Sequence, residues 1–139
     1  MSRQHIAVYG TLMEGYGNNR ILSDCKKLGT LRIQGYKMVN LGAFPGVVCT
    51  GDPDHTVKAE VWEVDEDAIA RMDRLEGHPN FYMRQRVLNL QGHDLFDAAL
   101  SNDNLWMYVL PSSALESSYH RGFVNHGDWT LWLEGRRNV

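Results

Sequence analysis

Short apolar runs separated by turn residues dominate the first half of the chain, where they occupy residues 4–9, 27–34, 37–41 and 47–50. Runs of this length and composition predict short β-strands. Only Gly35 and Tyr36 stand between the second and third runs, a spacing that predicts a β-hairpin. The sequence Gly-Asp-Pro-Asp at residues 51–54 predicts a tight turn before the next strand.

Residues 57–64 form the clearest predicted strand, and their apolar pattern changes face part of the way along. The apolar positions are odd as far as Val61 and then move to even positions at Trp62 and Val64. Because successive side chains of a strand point to opposite faces, this change needs an explanation. A β-bulge, or a strand that is covered on both faces, would provide one.

One helix is predicted directly after this strand. Asp65 is the expected N-cap, and two acidic residues follow it in the first turn, where the helix dipole favours them. The apolar stripe of the helix consists of Ile69, Met72 and Leu75. Gly77 and Pro79 are expected to end the helix.

The remainder of the chain predicts a further strand at residues 105–110 and a mixture of helix and loop after Ser112. Residues 92–104 are polar at both ends and predict an inserted loop or a short helix. The total is about six or seven short strands with one well-defined helix, which is typical of the α+β class. A length of 139 residues predicts a single domain that spans residues 1–139.

Charge and composition exclude several classes of function. Lys and Arg number 14 against 17 Asp and Glu, a net charge of -3, so the basic surface of a nucleic-acid-binding protein is not expected. The longest apolar runs are far too short to cross a bilayer or to form a signal peptide. Cys25 and Cys49 are therefore expected to be free thiols of a cytoplasmic protein. We expect a small-molecule partner, no nucleic acid, no membrane, and a monomer or weak homodimer.

The turn after the first strand is one of two candidate sites. It contains Tyr9, Gly10, Thr11 and Leu12. A strand that ends in glycine and enters a turn of small residues can direct successive backbone N–H groups at a carboxylate or an oxyanion. An ordinary strand-exit loop fits the same spacing. Neither a P-loop nor a complete dinucleotide-binding fingerprint is present, because no Gly-Lys-Ser/Thr follows and Arg20 stands where the third glycine would be.

The second candidate is Glu76, which lies four residues after Met72 and seven after Ile69. This spacing places its carboxyl group on the apolar stripe at the carboxyl end of the helix. Burial and the negative end of the helix dipole both disfavour ionisation, so they should raise the pKa of Glu76 towards neutral pH. A carboxyl group of that kind is a good general acid and base. A solvent-exposed Glu76 paired with Arg84 is the alternative interpretation.

Other chemically capable residues carry weaker signals. The six histidines show no metal-ligand spacing, and neither cysteine lies in a nucleophile motif, so no metal site and no cofactor are expected. Trp106 and Tyr108 alternate on the predicted strand at residues 105–110, which most often indicates core packing. The hydroxyl group of Tyr108 could equally face a pocket.

Four segments of the chain together match the motifs of a known protein family. The sequence VYGTL at residues 8–12 resembles the start of these proteins, and LGAFPGVV at residues 41–48 resembles a later segment. MDRLEGHPNFYMRQRV at residues 72–87 resembles their LD-x-x-EG-x-P-x-x-Y-x-R stretch. The Gly-Asp-Trp sequence at residues 127–129 resembles their carboxyl-terminal signature. The similarities follow the expected order along most of the chain. On these residues the chain resembles the gamma-glutamylcyclotransferase-like superfamily, and its AIG2-like and gamma-glutamylamine cyclotransferase branch in particular.

The resemblance implies a fold, a reaction and a set of site residues. The fold would be a small closed or nearly closed mixed β-barrel with short flanking helices. The activity would be a cyclotransferase reaction that converts a gamma-glutamyl group to 5-oxoproline and releases an amine, without a cofactor. Glu76 matches the catalytic glutamate. The substrate-binding residues would be Tyr9, Gly10, Thr11, Leu12, Tyr82 and Tyr108.

Three features differ from the pattern of the family. Met13 and Glu14 stand where a basic residue is common, Ala59 replaces a frequent glycine, and the polar stretch at residues 92–104 is unusual in composition. These differences concern the identity of the substrate more than the fold. The alternative function is a module of the same fold that binds or senses a gamma-glutamyl metabolite without turnover.

Overall fold

The computed structural model describes residues 4–87, 105–116 and 121–137. Its seven strands are β1 (Gln4–Val8), β2 (Lys26–Gln34), β3 (Tyr36–Asn40), β4 (Pro45–Cys49), β5 (Thr56–Val64), β6 (Met83–Arg86) and β7 (Leu105–Val109). The α-helices are α1 (Glu66–Glu76) and α2 (Trp129–Arg137), and short 3-10 helices occupy Gly17–Leu22, Ser112–Glu116 and Asn125–Gly127. The predicted α+β class is confirmed. Residues 92–104 lie outside the described residues.

Five strands form the main sheet in the order β2-β5-β1-β7-β6, and β3 and β4 form a second, two-stranded sheet. In the main sheet, β1 runs antiparallel to β5 and parallel to β7. Every residue of β1 from His5 to Val8 is buried, and β1 is the central strand of the main sheet. The residues that follow the carboxyl end of β1 therefore start from the middle of the main sheet.

The predicted hairpin between residues 27–34 and 37–41 is wrong. β2 pairs with β5, and β3 pairs with β4. Gly35 has a φ of +91°, its N–H donates to His55, and its carbonyl accepts from Thr50 and Gly51. This backbone corner directs the chain out of one sheet and into the other, so the two-residue connection joins strands that are not neighbours.

The change of face in β5 coincides with a β-bulge, which lies in the partner strand. The register between β2 and β5 shifts between Lys27 and Gly29, so that Leu28 is the extra residue. Opposite the shift, Val61 and Trp62 are both buried although they are consecutive. The two explanations offered by the sequence therefore apply together: the ladder contains a bulge, and the end of β5 is covered on both faces.

The two sheets form an open barrel. An isolated bridge between Val48 and Leu110 joins β4 to the end of β7, and the Leu110 N–H donates to the Val47 carbonyl at 2.8 Å. β2 and β6 remain at the two edges of the main sheet. The nearly closed barrel that the resemblance implied is therefore correct, and the fully closed alternative is not.

Helix α1 begins and ends as its sequence predicts. The Asp65 side chain accepts a hydrogen bond from the Ala68 N–H at 2.9 Å, and Gly77 ends the helix in the left-handed conformation with a φ of +69°. Ala68, Ile69 and Met72 are buried, whereas Leu75 is not. The stripe therefore leaves the core at its carboxyl end, which is where Glu76 lies.

No helix in the described part of the chain is both long and apolar enough to cross a membrane.

Candidate active site

The carboxyl end of β1, the carboxyl end of α1 and the start of β4 surround a cavity of about 560 Å³. The cavity is lined by all seven residues predicted from the sequence, namely Tyr9, Gly10, Thr11, Leu12, Glu76, Tyr82 and Tyr108. These residues come from three distant parts of the chain. The fold thus brings the two candidate sites together in one cavity.

The turn at residues 9–12 is held by contacts that leave several amide groups available. The Gly10 carbonyl accepts from Met13, the Thr11 carbonyl from Asn18, and the Leu12 carbonyl from the Asn19 side chain. Within residues 4–87, 105–116 and 121–137, the N–H groups of Gly10, Thr11 and Leu12 have no acceptor. An anionic group in the cavity can therefore accept hydrogen bonds from this turn.

Gly10 is required by the close approach of Pro45. A Cβ atom added to Gly10 would lie 2.8 Å from the Pro45 Cγ and 2.9 Å from its Cδ, distances that real Cβ atoms do not tolerate. The Pro45 carbonyl in turn accepts a hydrogen bond from the Tyr82 hydroxyl at 2.7 Å. The turn, the start of β4 and Tyr82 therefore form one packed unit.

Glu76 is half-buried and lines the cavity. Burial raises the pKa of its carboxyl group from 4.5 to about 7. Its side chain makes no hydrogen bond or ion pair with any other described residue, and Arg84 pairs with Asp73 instead. The alternative interpretation, a solvent-exposed Glu76 paired with Arg84, is therefore wrong. Near neutral pH, Glu76 populates both its protonated and its ionised form.

A hydrogen-bond network among Asp73, Arg84 and Tyr108, which was not predicted from the sequence, lies next to Glu76 on helix α1. Arg84 donates two hydrogen bonds to the Asp73 carboxylate, at 2.9 and 3.2 Å, and the Tyr108 hydroxyl donates to the same carboxylate at 2.6 Å. Burial opposes ionisation of Asp73, but the hydrogen bonds from Arg84 and Tyr108 outweigh it and lower the pKa of Asp73. Asp73 thus stays ionised one helical turn before Glu76. The signals in the sequence were the position of Asp73 three residues before Glu76 on the same helix, and the match of Asp73 and Arg84 to the LD-x-x-EG-x-P-x-x-Y-x-R stretch.

The hydroxyl groups of the three cavity tyrosines each donate a hydrogen bond to another residue of the protein. Tyr9 donates to the Tyr108 carbonyl at 2.7 Å, Tyr82 donates to Pro45, and Tyr108 donates to Asp73. Burial is the main cause that raises the pKa of each phenol, so all three stay neutral. In this arrangement their oxygens can serve a ligand only as hydrogen-bond acceptors. Such acceptors suit an amine or an ammonium group.

The cavity is also lined by residues that were not predicted to belong to the site, namely Asn18, Ala43, Phe44, Pro45, Leu75 and Phe81. Asn18 fixes the loop, because its side chain donates to the Thr11 hydroxyl at 2.9 Å. The aromatic residues precede Pro45 and Tyr82 in the chain, and single apolar residues in loops show no periodicity that would reveal a cavity wall.

Met13 and Glu14, which depart from the family pattern, do not line the cavity. Met13 is buried in the core. The Glu14 carboxylate lies 3.4 Å from the Lys27 ammonium, on the surface of the main sheet. The side chains at these two positions therefore do not alter the lining of the cavity.

The described residues contain no group of three or more His, Cys, Asp or Glu side chains that could hold a metal ion. Cys25 and Cys49 are free thiols, as predicted.

Glu76→Gln is expected to make the folded protein more stable at pH 8. Because folding raises the pKa of Glu76 from 4.5 to about 7, the wild-type protein loses stability as the pH rises through this interval. The loss is absent below pH 4.5 and complete above pH 7, where it amounts to at most about 3 kcal/mol. Urea unfolding of both proteins at pH 4 and pH 8 measures it. Glu66→Gln, an exposed change on the same helix, is the control, and an equal difference at both pH values would contradict the buried carboxyl.

Comparison with known proteins identifies the family to which this chain belongs. The model of the family described as gamma-glutamyl cyclotransferase, AIG2-like, matches residues 6–131. The gamma-glutamylcyclotransferase family protein YtfP of Escherichia coli strain K12 is 29% identical over 126 residues, which cover 89% of this chain and 94% of YtfP. The gamma-glutamylaminecyclotransferase of Rattus norvegicus is 28% identical over 151 residues, covering 96% of this chain and 98% of the rat enzyme.

A solved structure shows the same fold. The crystal structure of an AIG2-like protein from Mus musculus superposes with a TM-score of 0.69 at 22% identity, covering 93% of this chain and 89% of the mouse chain. The sequence resemblance described above is therefore confirmed, and the chain belongs to the gamma-glutamyl cyclotransferase, AIG2-like family.

Proposed function

We propose that this protein is a cyclotransferase that converts the gamma-glutamyl group of a gamma-glutamyl amine to 5-oxoproline and releases the amine. The observation that carries the proposal is the Glu76 carboxyl, which lines the cavity, makes no hydrogen bond or ion pair with another described residue and has a pKa raised to about 7. Membership of the family supports gamma-glutamylcyclotransferase-type activity in general. Glu76 supplies the general acid and base for it.

In the proposed complex, the free amide groups of the turn at residues 9–12 bind the α-carboxylate of the substrate. The tyrosine oxygens accept hydrogen bonds from its α-amine, and the ionised Glu76 attracts that group as an ammonium. This arrangement folds the substrate so that its amine approaches its own γ-carbonyl. Holding two reacting groups in such a geometry contributes roughly 7–11 kcal/mol to lowering the barrier.

The reaction forms one carbon–nitrogen bond and breaks another. Ionised Glu76 removes a proton from the α-ammonium, and the neutral amine attacks the γ-carbonyl carbon. The bond from this carbon to the leaving nitrogen then breaks, while Glu76 returns its proton to that nitrogen. The second proton of the attacking amine passes to solvent, and the released amine takes up a proton from solvent as it ionises. A carboxyl with a pKa near neutral can perform both transfers at the same pH.

The proposal is tested by incubating the protein with a panel of gamma-glutamyl amines, gamma-glutamyl amino acids and gamma-glutamyl-ε-lysine. We expect 5-oxoproline and free amine in equal amounts from at least one compound. Binding by calorimetry without any 5-oxoproline across the panel would contradict the enzyme and favour the metabolite-binding alternative.

Gly10→Ala is expected to lower kcat/KM by roughly ten- to a hundredfold, because the added methyl group meets Pro45 and displaces the amides that bind the carboxylate. Gly17→Ala is the matched control, because a Cβ atom there meets nothing within 4 Å. Steady-state kinetics, together with the melting temperature, measure the effect. If Gly10→Ala stays folded and retains the kcat/KM of the control, the turn does not bind the substrate.

A further inference from the structure

Asp73 lies outside the main cavity, which holds Glu76, but one hydrogen bond connects it to the cavity wall. Asp73 does not line the main cavity; with Arg84 it lines a separate, smaller cavity of about 280 Å³. Tyr108, which lines the main cavity, donates its hydroxyl proton to the Asp73 carboxylate at 2.6 Å. Tyr108 is therefore the residue through which the Asp73 carboxylate can influence a ligand in the main cavity.

The hydrogen bond of Tyr108 differs in kind from those of the other two cavity tyrosines. Tyr9 and Tyr82 donate to main-chain carbonyl groups, which are neutral. Tyr108 donates to a carboxylate, and hydrogen bonds to an ionised acceptor are shorter and stronger than those between neutral groups. Because this bond polarises the hydroxyl group, the Tyr108 oxygen becomes a stronger acceptor for a second donor.

Arg84 holds the Asp73 carboxylate in place. It lies directly opposite Tyr108 in the pairing of β6 with β7, and its guanidinium donates to both Asp73 oxygens. The guanidinium carbon is also 4.8 Å from the centre of the Trp106 ring, and the Arg84 backbone N–H donates to the His78 Nδ1 at 3.0 Å. An ionised carboxylate can only accept hydrogen bonds, so the Tyr108 hydroxyl must donate to it and offers the main cavity an acceptor.

The main cavity offers few other partners to a cationic group. Among the described residues of its lining, Glu76 is the one residue with a carboxyl group. Burial and the hydrogen bond to Asp73 raise the pKa of Tyr108, and the charge of Glu76 adds to this rise. Glu76 and Tyr108 are thus close enough to interact electrostatically, and both attract an ammonium group that enters the cavity.

We propose that Asp73 is a positioning residue that acts through Tyr108. By accepting the phenol hydrogen bond, Asp73 presents the Tyr108 oxygen as an acceptor to the α-ammonium group of a gamma-glutamyl substrate. This inference rests on the proposed function, which places that group in the main cavity. Asp73 itself touches no substrate and transfers no proton, so its contribution appears in the binding of the ammonium group.

Two probes that differ only in the ammonium group test the proposal. They are gamma-glutamyl methylamide and glutaric acid monomethylamide, which is the same molecule without the α-amino group. Calorimetry with the Glu76→Gln protein gives both dissociation constants without turnover. The dissociation constant of the second probe divided by that of the first is called the amine preference below.

Both members of the pair should matter for the amine preference. Tyr108→Phe is expected to lower it by about tenfold, because a hydrogen bond to a charged group is lost. Asp73→Asn is expected to lower it by about fivefold or more, because asparagine is uncharged and its amide N–H can donate to the Tyr108 oxygen. Asp67→Asn, an exposed change of the same charge on α1, is the matched control and should leave the amine preference unchanged.

The effects of the two substitutions should not add. Without the Tyr108 hydroxyl, Asp73 has no hydrogen bond to the cavity wall, so Asp73→Asn should not change the amine preference of the Tyr108→Phe variant any further. A purely structural Asp73 would instead weaken the binding of both probes equally. Equal weakening of both probes, or a full additional loss in the combined variant, would overturn the proposal.

A second form of the test covers a loss of stability. Asp73→Asn leaves the Arg84 guanidinium without its ionic partner, whereas Asp73→Asn combined with Arg84→Gln removes both charges and should lower the amine preference to the same extent. If the wild-type protein forms no 5-oxoproline, the proposed function fails, but a lowered amine preference in these variants still supports the role of Asp73. An amine preference that Tyr108→Phe or the folded Asp73 variants leave unchanged overturns the inference, as does the absence of binding of both probes, even where 5-oxoproline forms.

Discussion

Glu76→Gln is expected to lower kcat/KM for 5-oxoproline release by roughly a hundred- to ten-thousandfold, the range that general acid–base catalysis contributes. Glutamine preserves the shape of the side chain but can neither accept the proton of the attacking amine nor return it to the leaving nitrogen. Since Glu76 makes no hydrogen bond or ion pair with the other described residues, the substitution removes no polar contact among them. The loss should therefore appear mainly in kcat, and the variant should still bind the substrate.

Steady-state kinetics with a substrate from the gamma-glutamyl panel measure this effect, and Glu66→Gln is the matched control. Glu66 lies at the exposed start of the same helix, so its neutralisation changes the charge of α1 equally without reaching the main cavity. The control should retain kcat/KM within about twofold, as for surface changes of a few tenths of a kcal/mol. A Glu76→Gln variant that turns over at the wild-type rate would show that Glu76 is not the acid and base.

Gly127→Ala is expected to destabilise the protein by about 3 kcal/mol, a large part of the total stability of a small domain. Gly127 has a φ of +60°, where a side chain is strained. A Cβ atom there would collide with the Thr56 carbonyl oxygen and would lie 2.8 Å from the Val57 Cα. Because both obstacles are backbone atoms of β5, neither can rotate away.

Urea unfolding compares this variant with Gly135→Ala, in which the added methyl group meets nothing within 4 Å. Gly135 lies in α2, where alanine is the better helix former, so the control should be as stable as the wild-type protein or slightly more stable. If the two variants were equally stable, the close packing of residue 127 on β5 would be disproved. The collision of a Cβ atom at residue 127 with β5 is also the physical reason for the glycine of the carboxyl-terminal Gly-Asp-Trp sequence.

Local patterns predicted most of the secondary structure because the corresponding forces are local. The cap at Asp65, the stop at Gly77 and the alternation along β5 depend on neighbouring residues, and the structure confirms each of them. The pairing of β2 with β5 could not be predicted in the same way. Short spacing suggested a hairpin, but the hydrogen bonds of Gly35 to distant residues decide the outcome.

In the candidate site, too, the features that depend on neighbouring residues could be predicted, and those that depend on distant residues could not. Helical spacing placed Glu76 at the end of the buried stripe, and burial and dipole arguments predicted the direction of its pKa change. The sequence could not show that Arg84 would pair with Asp73 instead of Glu76, because this ion pair depends on how β6 and β7 pack against α1. Nor could it show that Phe44, Leu75 and Phe81, which come from two separate loops and a helix end, would line the same cavity.

The most direct test of the proposed catalytic role is the dependence of kcat/KM on pH for a gamma-glutamyl amine that the protein cyclises. We expect activity to rise with the ionisation of a group whose pKa is about 7, the value that burial gives to Glu76. A rise near the ordinary pKa of 4.5, or a rate that stays constant from pH 5 to pH 8, would contradict Glu76 as the buried acid and base.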